Sequence, residues 1–230
     1  MGGILAENLS YEGFVFKEGT QIALQKWGNL EYGTLAKDAA DPWIKGRIYA
    51  AGTEIHFDFD SKFVKQATLQ KAVKIGGIPV APGKTMLSCA PEILEQGVLS
   101  EEFENNGFRF KEGTIIRCYP NGVIKDGTLV ADMTVNDIKV LGNQKIRFDK
   151  NGVFRGGILA EDTEIKGMPC KQETAFMLHD NDTLSCLTLA KEYVVDGKTY
   201  PAGTSLKFTD QGILEFAVLP DQALEKKDDE

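Results

Sequence analysis

Histidine is nearly absent from this chain. Only His56 and His179 occur in 230 residues. Two histidines cannot complete a standard zinc set, and Cys89, Cys118, Cys170 and Cys186 form no Cys-x-x-Cys pair. Neither histidine falls in phase with a cysteine in the repeat described below, which argues against a catalytic thiol. Positive charge is also in deficit. The formal net charge is −8, with no basic stripe of the kind nucleic-acid binders carry, and anionic membrane surfaces are disfavoured for the same reason. No apolar run approaches the roughly 20 residues of a membrane span. The first residues lack the basic and apolar regions of a signal peptide, and Ala6 stands where a myristoylation motif wants Ser or Thr.

Four cysteines in a chain of this length do not make a disulfide scaffold. They fit buried thiols or one or two bridges equally well, so they leave the compartment open. Glycine, by contrast, is plentiful: 24 residues against 8 prolines, a sign of many tight turns.

The glycines mark a repeat. Gly2-Gly3-Ile4-Leu5-Ala6-Glu7 recurs intact from Gly156, and Phe16-Lys17-Glu18-Gly19-Thr20 recurs from Phe110. One leucine column runs Leu5, Leu35, Leu69, Leu99, Leu129, Leu159, Leu189, Leu219, in steps of 30 residues except for one of 34. Ile22, Ile116, Ile146, Phe176 and Leu206 follow it at a fixed offset, and Leu24, Cys118, Phe148, Leu178 and Phe208 lie two residues on. Cys89 reaches that second column if its unit slips by one residue. Leu30, Val64, Leu94, Ile124, Phe154, Leu184 and Leu214 form another column. Gly3, Gly33, Gly97, Gly127 and Gly157 precede the leucine by two.

Thr-x-Ile-x-Phe alternates with period 2 and is β-branched and aromatic, so it reads as a strand. Pro120-Asn121-Gly122, Lys150-Asn151-Gly152 and Asp210-Gln211-Gly212 then read as hairpin turns. A second, smaller hairpin turns near Gly13, Gly46, Gly77, Gly107, Gly167 and Gly197. No segment shows a helical period. The expected fold is all-β, a meander of antiparallel hairpins in about seven tandem units, curling to cover its apolar face. A β-solenoid and a closed propeller-like ring are the alternatives. Residues 1–220 read as one repeat domain, and residues 221–230 as a charged, solvated tail.

The run Gly157 to Cys170, of form Gly-x-Leu-Ala-x-Asp-x-x-Ile-x-Gly-x-Pro-Cys, and the Gly-Thr-led run Gly203 to Leu214 resemble tandem-repeat bacterial proteins of unassigned function. Tyr11-Glu12-Gly13 and Gly19 are loosely similar to MORN-type repeats, whose units are shorter. Neither resemblance implies a catalytic motif or a cofactor.

The acidic column Asn8, Asp38, Glu102, Asp132, Asp162 and Glu192 reads as turn capping. A carboxylate ladder for calcium is the alternative, without the Gly-Gly-x-Gly-x-Asp signature to support it. His179-Asp180-Asn181-Asp182 falls where other units turn and reads as a solvated turn. Cys170 and Cys186 lie in one unit and could bridge.

The candidate binding site is the irregular second unit, because insertions in repeat proteins gather on one face. It holds Asp41-Pro42-Trp43, with Trp43 as an exposed anchor, then His56, Asp58 and Asp60, and Trp27 lies one hairpin away. No catalytic or metal residue stands out. A long repeat array with no Ser/His/Asp, metal or phosphate-loop constellation points to a non-enzymatic binding or scaffold protein whose partner is another protein or a neutral or basic ligand. A secreted or envelope structural protein is the second reading. The start in mid-unit favours that reading and an extracytoplasmic location. A carbohydrate-active enzyme with paired carboxylates is the third.

Overall fold

Alternation decides the architecture. In Ile115–Cys118 and Lys145–Phe148 every second side chain is buried, so Ile116, Cys118, Ile146 and Phe148 face the core while Arg117 and Arg147 face outward. The computed structural model describes residues 2–59, 63–87 and 92–220, and among these every named element is a β-strand. Asp60, Cys89 and the expected tail lie outside the described residues. The chain groups into two compact units, Met1–Lys125 and Asp126–Glu230.

In the first unit the long strands pair antiparallel with their chain neighbours. Gln21–Leu24 pairs with Leu30–Thr34, which pairs with Glu54–Phe57. Glu54–Phe57 pairs with Val64–Leu69, and the meander continues through Gly83–Leu87, Leu94–Val98 and Ile115–Cys118. The second unit repeats the plan through Lys145–Phe148, Phe154–Ile158, Ala175–Leu178, Leu184–Thr188, Ser205–Phe208 and Leu214–Val218. The turns at Asn151-Gly152 and Gln211-Gly212 join antiparallel neighbours, so the solenoid alternative falls. Each is closed by the same pair of backbone bonds, as where the Asp149 N–H reaches Val153 O and the Gly152 N–H reaches Asp149 O. Gly152 has φ of 82°, which a side chain would resist.

Six of these hairpins carry one β-bulge at the same place. Phe57 pairs with Val64 and His56 with Gln66, which leaves Lys65 as the extra residue. Glu31, Glu95, Arg155, Ser185 and Glu215 are its counterparts. A bulge re-aims side chains. Here it places two consecutive residues, such as Lys65 and Gln66, off the core face.

The small hairpins cover the apolar face. Phe16, Val80, Val140 and Cys170 each end a small hairpin, and each is bridged to a leucine of the following repeat: Leu35, Leu99, Leu159 and Leu189. All eight side chains are at most 1 % exposed. Burying each leucine contributes about 1.5–3 kcal/mol, and the bridges tie each repeat to the next.

The lengthening of the second repeat is divided between two places. Its small hairpin, Ala39–Ala40 with Ile48–Tyr49, spans a longer loop than the two-residue turn between Leu9–Tyr11 and Phe14–Phe16. A single further residue lies in the turn between Phe57 and Val64. The third repeat does slip by one residue, but the other way from the slip that would bring in Cys89. Leu87, paired with Leu94, takes the aromatic-column position.

The bridge between Cys170 and Cys186 does not form. Cys118, Cys170 and Cys186 are free thiols. Cys170 is fully buried under its small hairpin, whereas Cys186 stands on the outward face between Met177 and Lys207.

Candidate functional site

Because the register repeats, the outward residues of neighbouring strands fall into file. In the first unit the cross-strand partners run Tyr32, His56, Gln66, Met86, Gln96, Arg117. Neighbouring strands lie about 4.8 Å apart, so planar side chains along such a file can stack or bond. The Tyr32 and His56 rings stack with centroids 5.2 Å apart and planes 29° apart. His56 Nε2 lies 2.8 Å from Glu54 Oε1. At the far end Arg117 Nε donates to Gln96 Oε1 at 3.0 Å.

A cavity of about 320 Å³ opens on this file, lined by Gln25, His56, Phe59, Gln66 and Met86, with the bulge residues Glu31 and Lys65 among its walls. Gln25 is 7 % exposed, and its Nε2 donates to Asp58 O at 3.0 Å, which ties the first hairpin turn to the next. Phe59 is 57 % exposed.

Of the five residues singled out from sequence, Asp60 lies outside the described residues and the other four do not converge. His56 lines the cavity, and Asp58 contributes its backbone oxygen as an anchor for Gln25. Trp27 is 76 % exposed, two residues beyond Gln25, with Lys26 Nζ 5.4 Å from its ring. Trp43 is exposed, at 37 %, and one side of its ring meets Phe14 at 6.2 Å and Phe63 at 5.6 Å between centroids. Asp41 sets the Trp43 loop. Its Oδ1 accepts the N–H groups of Trp43 and Ile44, while Oδ2 accepts from Arg47 and from the Tyr49 hydroxyl at 2.6 Å. Burial, reinforced by the Asp41 carboxylate, pushes the pKa of that hydroxyl up.

Tyr32, Gln66 and Met86 were not singled out from sequence. Their signal was the period-2 alternation, which marks them as outward. The bulge, which sets the register that aligns them, leaves no sequence mark of its own.

The acidic column caps turns. Oδ1 of Asn8, Asp132 and Asp162 each accepts the backbone N–H ten residues on, from Glu18, Gly142 and Gln172, at 2.7–2.8 Å. Asp38 does the same to Ala51 across the longer loop. The longer Glu102 pairs with Arg109 instead. Among the described residues no group of three or more His, Cys, Asp or Glu is placed to hold a metal ion.

In the second unit the counterpart bulge residue is the buried Arg155. Its Nε and Nη2 bind Asp149 Oδ2 at 3.0 and 2.8 Å, and Nη2 also donates to Asp180 O. Asp182 pairs with both Arg155 and Lys166, so two members of the His179–Asp182 run form a turn-to-turn brace. Among the described residues no helix is long and apolar enough to cross a membrane. No protein-family model and no curated protein matches the chain.

Proposed function

We propose that this chain is a non-enzymatic binding protein whose recognition surface is the outward sheet face of the first unit, anchored at the cavity beside His56. The observation that carries this reading is the file Tyr32, His56, Gln66, Met86, Gln96, Arg117, which opens onto that cavity. A repeat array is a rigid frame on which such a file can be held in register. The resemblance to bacterial repeat proteins fits a display scaffold. The absence of a paired nucleophile and base in the file favours binding over catalysis.

Amide NMR of the isotopically labelled chain tests the reading. The chain is titrated with pooled peptides and pooled oligosaccharides. Shifts centred on His56, Gln66 and Met86 are expected for at least one pool. Shifts confined to other surfaces would overturn it.

A further inference from the structure

We infer that the cavity beside His56 takes a neutral sugar unit, and that the file beyond it carries the rest of a neutral oligosaccharide chain. This rests on the binding reading above and gives it a ligand class.

Charge is the first argument. Three of the walls are ionisable: Glu31 and Lys65, one of each sign, on strands Leu30–Thr34 and Val64–Leu69, and His56, whose Nε2 is paired with Glu54 Oε1 at 2.8 Å. Their fields largely cancel, so the cavity has no net attraction for a phosphate, a carboxylate or an ammonium group. A polar but uncharged ligand is the match.

The lining chemistry is the second. Phe59 presents an exposed ring at the rim, and Met86 and Phe57 give apolar surface. Gln66, Glu31 and Lys65 supply hydrogen-bond donors and acceptors around them. A pyranose ring needs that combination: it has an apolar face of C–H groups and an equatorial belt of hydroxyls that both donate and accept. The cavity, at about 320 Å³, stands at the small end of the ~300–1,000 Å³ range for ligand sites.

The backbone supplies the third argument. An extended peptide gains affinity chiefly by adding a strand to a free sheet edge. No edge is free here. Leu30–Thr34, Glu54–Phe57, Val64–Leu69, Gly83–Leu87 and Leu94–Val98 are each paired on both sides. A ligand on this face meets side chains alone. The amides and guanidinium at Gln66, Gln96 and Arg117 span three strand steps, about 14 Å at roughly 4.8 Å per strand, a track for a chain lying perpendicular to them.

The test uses calorimetry and amide NMR with defined probes. The neutral probes are cellotetraose, maltotetraose, mannotetraose and tetra-N-acetylchitotetraose. The comparison probes are the cationic glucosamine tetramer, the anionic galacturonate tetramer and a neutral Gly/Ser/Gln decapeptide. At least one neutral tetrasaccharide is expected to bind and to weaken at least about tenfold in both Phe59→Ala and Gln66→Ala. Lys207→Ala, on the outward face of the second unit, should bind as the parent does. Thermal melts of the three variants establish that they fold.

If only a charged tetramer or the peptide binds, and does so through Phe59 and Gln66, the neutral-sugar assignment fails and the binding face stands. If ligands bind without regard to Phe59 and Gln66, both readings fail. No response from any neutral probe up to roughly 10 mM overturns the inference.

Discussion

The Phe16 ring packs against Gly33: a β-carbon on Gly33 would stand 2.6 Å from Phe16 Cδ1. The same pairing recurs with smaller side chains, at 2.9 Å between Gly97 and Val80 and 3.5 Å between Gly157 and Val140. In these three repeats the glycine is the hole into which the small hairpin inserts its last side chain.

Substitution should follow those distances. Gly33→Ala overpacks against a rigid aromatic ring and should destabilise by about 1–3 kcal/mol. Gly157→Ala meets ordinary contact and should be neutral, or gain a few tenths of a kcal/mol from the stiffer unfolded chain. Urea denaturation of the pair checks this, and equal losses at both sites would refute the insertion account.

Cys170 and Leu187 occupy the positions equivalent to Phe16 and Gly33, with the sizes exchanged. Both are buried. Leu187→Gly should leave a cavity and cost about 2–5 kcal/mol. Cys170→Phe alone should overpack, and the double variant should recover stability relative to either single one. An additive double-mutant cycle would show that the two sites do not share one space.

The capping carboxylates should behave as hydrogen-bond acceptors and not as cation ligands. Asp162→Ala removes the 2.7 Å bond from the Gln172 N–H and should cost about 1 kcal/mol. Millimolar calcium should leave the melting temperature of the parent unchanged. A calcium-dependent rise that disappears in Asp162→Ala would restore the cation ladder.

Asp149 should make stability sensitive to acid. Burial alone would raise its pKa. The N–H groups of Val153 and Asn151 and the Arg155 guanidinium outweigh that and hold it below the usual carboxylate value of 3.8. A carboxylate depressed in the folded state contributes stability that is present above the unfolded pKa and lost as pH falls through the folded one. Unfolding free energy should therefore decline below about pH 4, and Asp149→Asn should flatten that decline. Breaking this buried pair should itself cost about 3–5 kcal/mol at neutral pH. Calorimetric melts from pH 2 to 7 read both effects.

Cys170 should be silent to thiol reagents. Burial raises its pKa to about 11, so at pH 8 the thiolate is scarce as well as covered. Burial raises the Cys186 thiol too, against the pull of Arg147 and Lys207, but its partly exposed position leaves it in reach of the reagent. Mass mapping after brief native alkylation should find Cys186 labelled ahead of Cys170. The reverse order would place Cys170 outside the core.

Much of this was legible in the residues. The leucine column predicted the buried bridge positions, because a repeated period can be satisfied only by a repeated contact. Leu35, Leu99, Leu129, Leu159 and Leu189 are all at most 1 % exposed. Gly at the turns predicted antiparallel hairpins through its access to positive φ. These are local properties, carried by each residue and its near neighbours. The bulge at Lys65, the cover that Phe16 gives the next repeat and the file from Tyr32 to Arg117 depend on which strand lies beside which. Trp43 shows the difference most plainly. Its place in an inserted loop pointed to an exposed residue, and it is 37 % exposed, but only the fold of that loop on Asp41 decides that its indole meets Phe14 and Phe63. The sequence by itself determined the strands, the turns and the period. Only the tertiary structure decided which outward side chains meet, because register is a relation between strands that no single strand contains.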